Sequence, residues 1–226
     1  MKQIHHNYWV GEYEGLDADF YNPDLRIAMQ ELYGCKGFDF GKVGDDFYDM
    51  DRKNHYRPDG YSTYTSLDVR DKNYITKMPF RYEAVGNNKE LSERCLFLAG
   101  TIAGELFFPC HKLEQSSTMN TARGCHGGIN DMMYQTLENI KKYYAKECGD
   151  YPLKETITRY GYFFDCFASF DEYVEYNLLQ DYELLPRKFP TNENELVEFW
   201  EKSIEFFEAR LQRIEKYAKQ NELLDE

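Results

Sequence analysis

Long apolar runs are missing from this chain of 226 residues. The best of them, such as Leu96 to Gly104, falls far short of the roughly 20 residues that a helix needs to cross a bilayer, so the reading excludes a membrane span. No secretory leader is expected either: Asn7, Glu12 and Glu14 interrupt the N-terminal stretch within a few residues of Ile4, before an apolar core can form. The expectation is a cytoplasmic protein. Positive charge is scarce, with 27 Lys and Arg against 40 Asp and Glu and a formal net charge of −13. Non-specific nucleic-acid binding depends on neutralising phosphates with Lys and Arg, which disfavours a general DNA- or RNA-coating role. Closely spaced cysteines are also lacking. The six, at positions 35, 95, 110, 125, 148 and 166, contain no Cys-x-x-Cys pair, so neither a zinc knuckle nor a redox motif is indicated. In a cytoplasmic chain of this length they read as free, mostly buried thiols.

What the chain has in quantity is aromatic material. The 20 Tyr and 16 Phe run from Tyr8 to Tyr217, enough to give the whole length a core and to argue against disorder. Length and composition predict one domain over 1–226, with a mixed α/β part over 1–110 and a helical part over 111–226. The fold class expected is α+β, with a small N-terminal β-sheet and a C-terminal half that is mainly α-helical.

Asn22-Pro23-Asp24 opens a predicted helix that stops at Gly34, because Asn caps, Pro suits the first turn and Asp favours the positive end. From Cys35 to Gly60 the chain is rich in Gly and Asp and reads as an irregular connection. Its Asp45, Asp46, Asp49 and Asp51 lack the alternation and downstream Glu of a calcium loop, so no metal is assigned. Tyr61–Val69 and Asn73–Val85 carry strand-type residues, paired as a hairpin around Asp71-Lys72-Asn73. A helix is predicted from Asn88 to about Ala99, followed by a buried strand over 101–109 that Pro109 ends. Ile129, Met132, Met133, Leu137, Ile140 and Tyr144 recur at three- and four-residue steps and predict an amphipathic helix. Further helices are predicted around Ile157–Phe167, Phe170–Leu178 and, longest, Leu196–Tyr217, whose outer face is acidic.

The most unusual stretch is Thr118–Asp131, which packs three glycines, Arg123, His126 and two Asn into a predicted loop running into a helix. Between Gln115 and Lys146 four bases face two acids, a basic island on an acidic chain. Glycine allows close backbone approach, and a helix start presents unpaired N–H groups. With Arg123 these make the composition of an anion site, although neither a Walker loop nor a dinucleotide fingerprint is present. The expected ligand is a small anion such as a nucleotide or phosphorylated metabolite, and no cofactor is named. Asn120, Arg123, Gly124, Gly127, Gly128 and Asp131 are the candidate binding residues, with Arg159, Gln180 and Asp181 converging from later helices. His126 and Glu138 are candidate acid–base groups, His126 because its unperturbed pKa lies near neutrality. The competing reading of the same residues is a turn at Gly127-Gly128, a helix cap at Asn130 or Asp131, and an Arg123 ion pair with an acid such as Glu138.

Within this stretch and beyond it the residues resemble an uncharacterised bacterial protein family. That family shows Thr-Ile-Asn-x-x-Arg-Gly, then a helix with Thr-Leu-Glu, an Arg-Tyr-x-x-Phe-Phe stretch and a Tyr-Val-Asp-Phe-Phe-Leu-Leu-Gln-Asp stretch. The matches here are Thr118, Asn120, Arg123, Gly124, Asp131, Thr136–Glu138, Ile140, Arg159-Tyr160, Phe163-Phe164, Tyr173-Val174 and Leu178–Asp181, over about residues 100–215. Met132 and Tyr134 stand where the family carries an Arg and an Asp. The resemblance implies a shared fold unit and the candidate cluster, and supplies no reaction.

Two alternatives stand beside the anion reading. One is a protein-interaction or regulatory module without catalysis, its tyrosines supplying contact surface and self-association left open. The other is an NAD-consuming, ADP-ribosyltransferase-like enzyme, suggested by Arg57 and the Tyr61–Ser66 run, where a plain strand with polar alternation explains the same residues.

Overall fold

In a computed structural model, the described residues are 32, 34, 56–65, 78–109 and 117–221, with residues 57 and 58 described in backbone only. They are mostly helical. Strands β1 (Tyr56–Asp59) and β2 (Leu106–Pro109) pair antiparallel, Tyr56 opposite Pro109 and Asp59 opposite Leu106. The helices are α1 (Arg81–Asn87), α2 (Lys89–Ala99), α3 (Met119–Cys125), α4 (Met133–Tyr144), α5 (Lys154–Arg159), α6 (Gly161–Phe164), α7 (Phe170–Tyr176) and α8 (Glu193–Gln220). None of them is long and apolar enough to cross a membrane.

The long α8 forms for reasons visible in its sequence. Asn192 caps it by accepting the Glu195 N–H at 3.0 Å. Glu195 reaches back to accept from the Thr191 N–H and hydroxyl, both at 2.8 Å. Leu196, Phe199, Trp200, Ser203, Phe207 and Ile214 then fall on one face and are buried, with α1 and α2 packed along it. Elsewhere α4 packs on α5 and α7, and α3 on α5.

Helices α5, α6 and α7 have six, four and seven residues, too short to persist alone, since nucleation outweighs the few hydrogen bonds gained. Aromatic burial holds them. Phe163 packs edge-on to Phe107 of β2 with centroids 5.6 Å apart and to Phe164 at 5.0 Å. Phe167 meets Tyr173 edge-on at 5.3 Å. Each such ring taken out of water contributes about 1.5–3 kcal/mol. All four residues of β2 are buried between this cluster and β1. Gly104, just before β2, has no room for a side chain: a Cβ there would lie 2.0 Å from the Ala99 carbonyl oxygen.

Several expectations are met. The helices predicted at 88–99, around Leu137 and over Leu196–Tyr217 are α2, α4 and α8, and Pro109 ends β2. Others need correction. The small N-terminal sheet expected from a hairpin of 61–69 with 73–85 is not shown: 61–65 has no regular structure and 81–87 is helix, while the hairpin tip at 71–73 lies outside the described residues, and the strands that do pair are β1 and β2. Local strand propensity is overridden because 60–65 makes its bonds to distant side chains instead, Thr63 O accepting from Trp200 Nε1 at 2.8 Å. The strand expected over 101–109 is halved, with 101–104 a turn in which Gly104 N–H bonds Thr101 O. The single helix expected around Ile157–Phe167 is two, broken at Tyr160. Of the cysteines, Cys95 is buried as expected but Cys125, Cys148 and Cys166 are exposed, and none of these four forms a disulfide. Cys35, Cys110, the acidic run at 45–51 and most of the helix predicted from Asn22 lie outside the described residues, although Leu32 is helical and buried.

Candidate functional site

The stretch from Thr118, expected as a loop, is helix over seven residues. Thr118 caps α3, its hydroxyl accepting the Thr121 N–H at 3.2 Å. One turn in, the same helix presents Asn120 and Arg123 three positions apart, hence on one side, and this side faces the end of β1. There Asn120 Nδ2 donates to Asp59 Oδ1 at 2.6 Å, Arg123 Nε to Asp59 Oδ2 at 3.3 Å, and Arg123 Nη2 lies 2.8 Å from Asp59 Oδ1. Arg123 Nη1 pairs with Asp131, and Nη2 also donates to Gly60 O at 2.5 Å. The guanidinium carbon lies 3.9 Å from the centre of the Tyr61 ring, within cation–π range.

This guanidinium is sealed. Its side chain is 0% exposed, against 2% for Asp59 and 24% for Asp131. Burial opposes its charge most strongly, but Asp131 and then Asp59 outweigh it and hold Arg123 above the ordinary arginine range. Burial likewise pushes the Tyr61 phenol well above its usual value. The expectation that Arg123 offers its charge to an incoming anion is therefore corrected, because two carboxylates, a carbonyl and an aromatic face already occupy it.

The turn after α3 is closed in the same way. His126, Gly127 and Gly128 are exposed, yet the backbone donors around them are used internally: Gly128 N–H on His126 Nδ1 at 3.1 Å, Ile129 and Asn130 N–H on His126 O at 2.9 Å, and Met132 N–H on Ile129 O at 3.0 Å. Asn130 and Asp131 adopt positive φ, 47° and 61°, which Asn and Asp tolerate. Tyr64, at φ 58°, is the bulkier exception. Its hydroxyl donates to Asn130 O and so ties the segment after β1 to this turn. Neither Asn130 nor Asp131 caps α4, whose first residue follows Met132 without a side-chain cap.

The remaining predicted residues do not join the cluster through any bond they make. Gly124 is exposed. Glu138 lies on α4 with Lys141 at 3.9 Å rather than on Arg123. Arg159 is exposed and pairs with Glu155 one turn away, Gln180 is exposed, and Asp181 pairs with Arg213 of α8. Among the described residues no group of three or more His, Cys, Asp or Glu is placed to hold a metal ion. What sequence reasoning missed is Asp59, with Gly60 and Tyr61. Its only signal is an acid in a Pro-Asp-Gly turn pattern at the end of a stretch that reads as irregular, 64 positions from the arginine it holds.

The chain belongs to the family of unknown function DUF6994, which matches residues 5–214. Membership therefore extends across the first hundred residues, beyond the stretch in which the sequence motifs are legible. No curated protein and no solved structure matches the chain.

One more surface is relevant. Among the described residues the large apolar side chains left exposed are Tyr82, Leu96, Phe97 and Tyr162, and the first three belong to α1 and α2. Beside them the α1–α2 junction carries an open depression of about 600 Å³, lined by residues 86–91 and Arg94. None of the predicted site residues lines it.

Proposed function

We propose that this chain acts by contact with another protein, without catalysis, and that the outer side of α1–α2 makes the contact. The observation that carries this is the concentration of exposed apolar side chains there, Phe97 at 52%, Leu96 at 45% and Tyr82 at 41%. Apolar groups exposed side by side, as Leu96 and Phe97 are in sequence, mark interaction sites where single ones do not. The closed state of the Arg123 cluster supports the same reading by removing the one cation on which a small-molecule site was built. In this proposal the chain is a single cytoplasmic domain.

The test is retention of partners from native lysate by the wild type and by Leu96→Ser/Phe97→Ser, with light scattering on each protein alone to register self-association. The expected result is a species held by the wild type and lost from a variant of unchanged melting temperature. Equal retention by both proteins removes the reading.

A small anionic ligand at the Gly127–Asp131 turn is the second reading. Its support is the strained backbone, since left-handed non-glycine residues gather at functional sites, and here Tyr64, Asn130 and Asp131 are joined through one hydrogen bond and one short segment. A thermal-shift panel of nucleotides and phosphorylated metabolites decides it: a ligand that stabilises the wild type and not Asn130→Ala carries this second reading over the first. The NAD-consuming reading gains nothing from Thr63 and Thr65, which are buried with their hydroxyls bonded to each other at 2.8 Å.

A further inference from the structure

Helix α2 has two faces of different character. Ser92, Cys95, Leu98 and Ala99 are buried, and α8 packs against this helix. Opposite them, Glu90, Glu93 and Phe97 follow one another at steps of three and four residues, so an acid, an acid and an exposed ring line up along the outside, with Leu96 three positions from Glu93. The cation paired along this stripe is Lys89, 3.6 Å from Glu93 with both side chains largely in water, a pairing that contributes little and exchanges readily. Arg94, four positions after Glu90 and itself largely exposed, is already paired with Glu208 of α8.

Resting on the contact reading above, we infer that the occupant of this face is a basic amphipathic segment of a partner protein, with Lys or Arg beside apolar side chains. The ring of Phe97 and the side chain of Leu96 take the apolar side, and Glu90 and Glu93 take the cations. Charge complementarity of this kind speeds encounter and selects among partners. The net charge of −13 points the same way and disfavours a second copy of the chain, which would bring like charge to like.

The probe is a synthetic amphipathic peptide of Lys and Leu, with two controls: the same peptide with Glu for Lys, and with Ser for Leu. Binding is measured to the wild type, to Leu96→Ser/Phe97→Ser and to Glu90→Lys/Glu93→Lys, each checked for an unchanged melting temperature. The Lys/Leu peptide is expected to bind the wild type about tenfold or more tighter than either variant, to weaken as salt rises, and to bind better than both controls. Equal binding to all three proteins overturns the inference, because the peptide is then held elsewhere on an acidic surface. If the Glu/Leu peptide binds the wild type as well as the Lys/Leu peptide and Leu96→Ser/Phe97→Ser loses both, the inference about charge falls while the contact reading stands. If Leu96→Ser/Phe97→Ser retains every lysate partner, the contact reading itself falls.

Discussion

Of the three fully buried arginines among the described residues, Arg123 and Arg210 are bonded in different ways, and the contrast explains how each half of the chain is tied together. Arg123 is neutralised by charge, with Asp59 and Asp131 on its guanidinium. Arg210, on α8 and also 0% exposed, is held by backbone dipoles: Nη1 donates to Ala103 O and Glu105 O, both at 2.7 Å, and Nη2 to Asn177 O at 3.1 Å. The first draws α3, the end of β1 and the turn before α4 to one point. The second binds α8 to the lead-in of β2 and the end of α7. A guanidinium meets either kind of acceptor because its donors form a rigid planar fork. Loss of the arginine strands a buried carboxylate in the first case, and in the second it breaks these bonds to backbone carbonyls.

The largest expected effect follows from that difference. Arg123→Met leaves Asp59 buried without its cation, and breaking a buried pair by removing one partner costs about 3–5 kcal/mol. Chemical denaturation should show a loss in that range. Arg210→Met breaks bonds to neutral carbonyls instead and is expected to cost less, about 1–3 kcal/mol. If Arg210→Met proves the more damaging, dipoles and not ion pairs dominate the burial of charge here, and the comparison is reversed. Within the first cluster, Asp59→Asn should be clearly worse than Asp131→Asn. Asp59 is sealed and touches both Asn120 and Arg123, whereas Asp131 keeps partial access to water. Double-mutant cycles with Arg123 measure the two couplings directly.

Alkali offers another way to separate the halves. Burial pushes the Cys95 thiol, on α2 against α8, from the usual 9.0 up to about 12. Burial first, and then its hydrogen bond to Asp165, pushes the Tyr143 hydroxyl on α4 from 10.0 up to about 12. Both folded-state values are raised, so each contribution is complete below the ordinary value, and is lost as the unfolded chain ionises and pH rises toward about 12. Stability is expected to fall above about pH 9, and Cys95→Ala should move the onset toward about pH 10 in a titration of denaturation midpoints.

How much of this is legible in the sequence follows the range of the interactions. Helices α2, α4 and α8 show themselves because their periodicity is local: Leu137 and Ile140, or Phe199 and Phe207, are spaced by the helix itself. Arg123, Asn120 and Asp131 stand out as a group, since composition over the short stretch from Thr118 to Asp131 is also local. Their role is not legible there, because the deciding residue, Asp59, comes from 64 positions away. Where 61–65 and 78–85 are described, the strands expected over 61–85 fail for a related reason. Tyr61, Thr63 and Tyr64 have strand-type side chains, but their partners are Arg123, Trp200 and Asn130, none of which a local window contains. Resemblance in the later motifs identifies family kinship over about 100–215, while the family match runs from residue 5.

The smallest expected effect compares the caps of the helices that carry the two arginines. Thr118 is 5% exposed, caps a helix of only seven residues and also meets the Thr121 hydroxyl at 3.1 Å. Asn192 caps a helix of 28 residues with Glu195 sharing the duty, and Arg210 sits more than four turns away. Removing either cap costs about 0.5–2 kcal/mol. Thr118→Ala belongs at the upper end, because a short helix has no interior to retreat to and its loosening reaches Arg123 within two turns. Asn192→Ala belongs at the lower end, fraying one turn of α8 and leaving the carbonyl-bound Arg210 in place. Hydrogen exchange reads the distinction: faster exchange throughout α3 in the first variant, and only in the first turn of α8 in the second. Uniform protection of α3 in Thr118→Ala would mean that the Asp59 and Asp131 contacts hold that helix from its far end, making the ion pairs and not the cap the reason it forms.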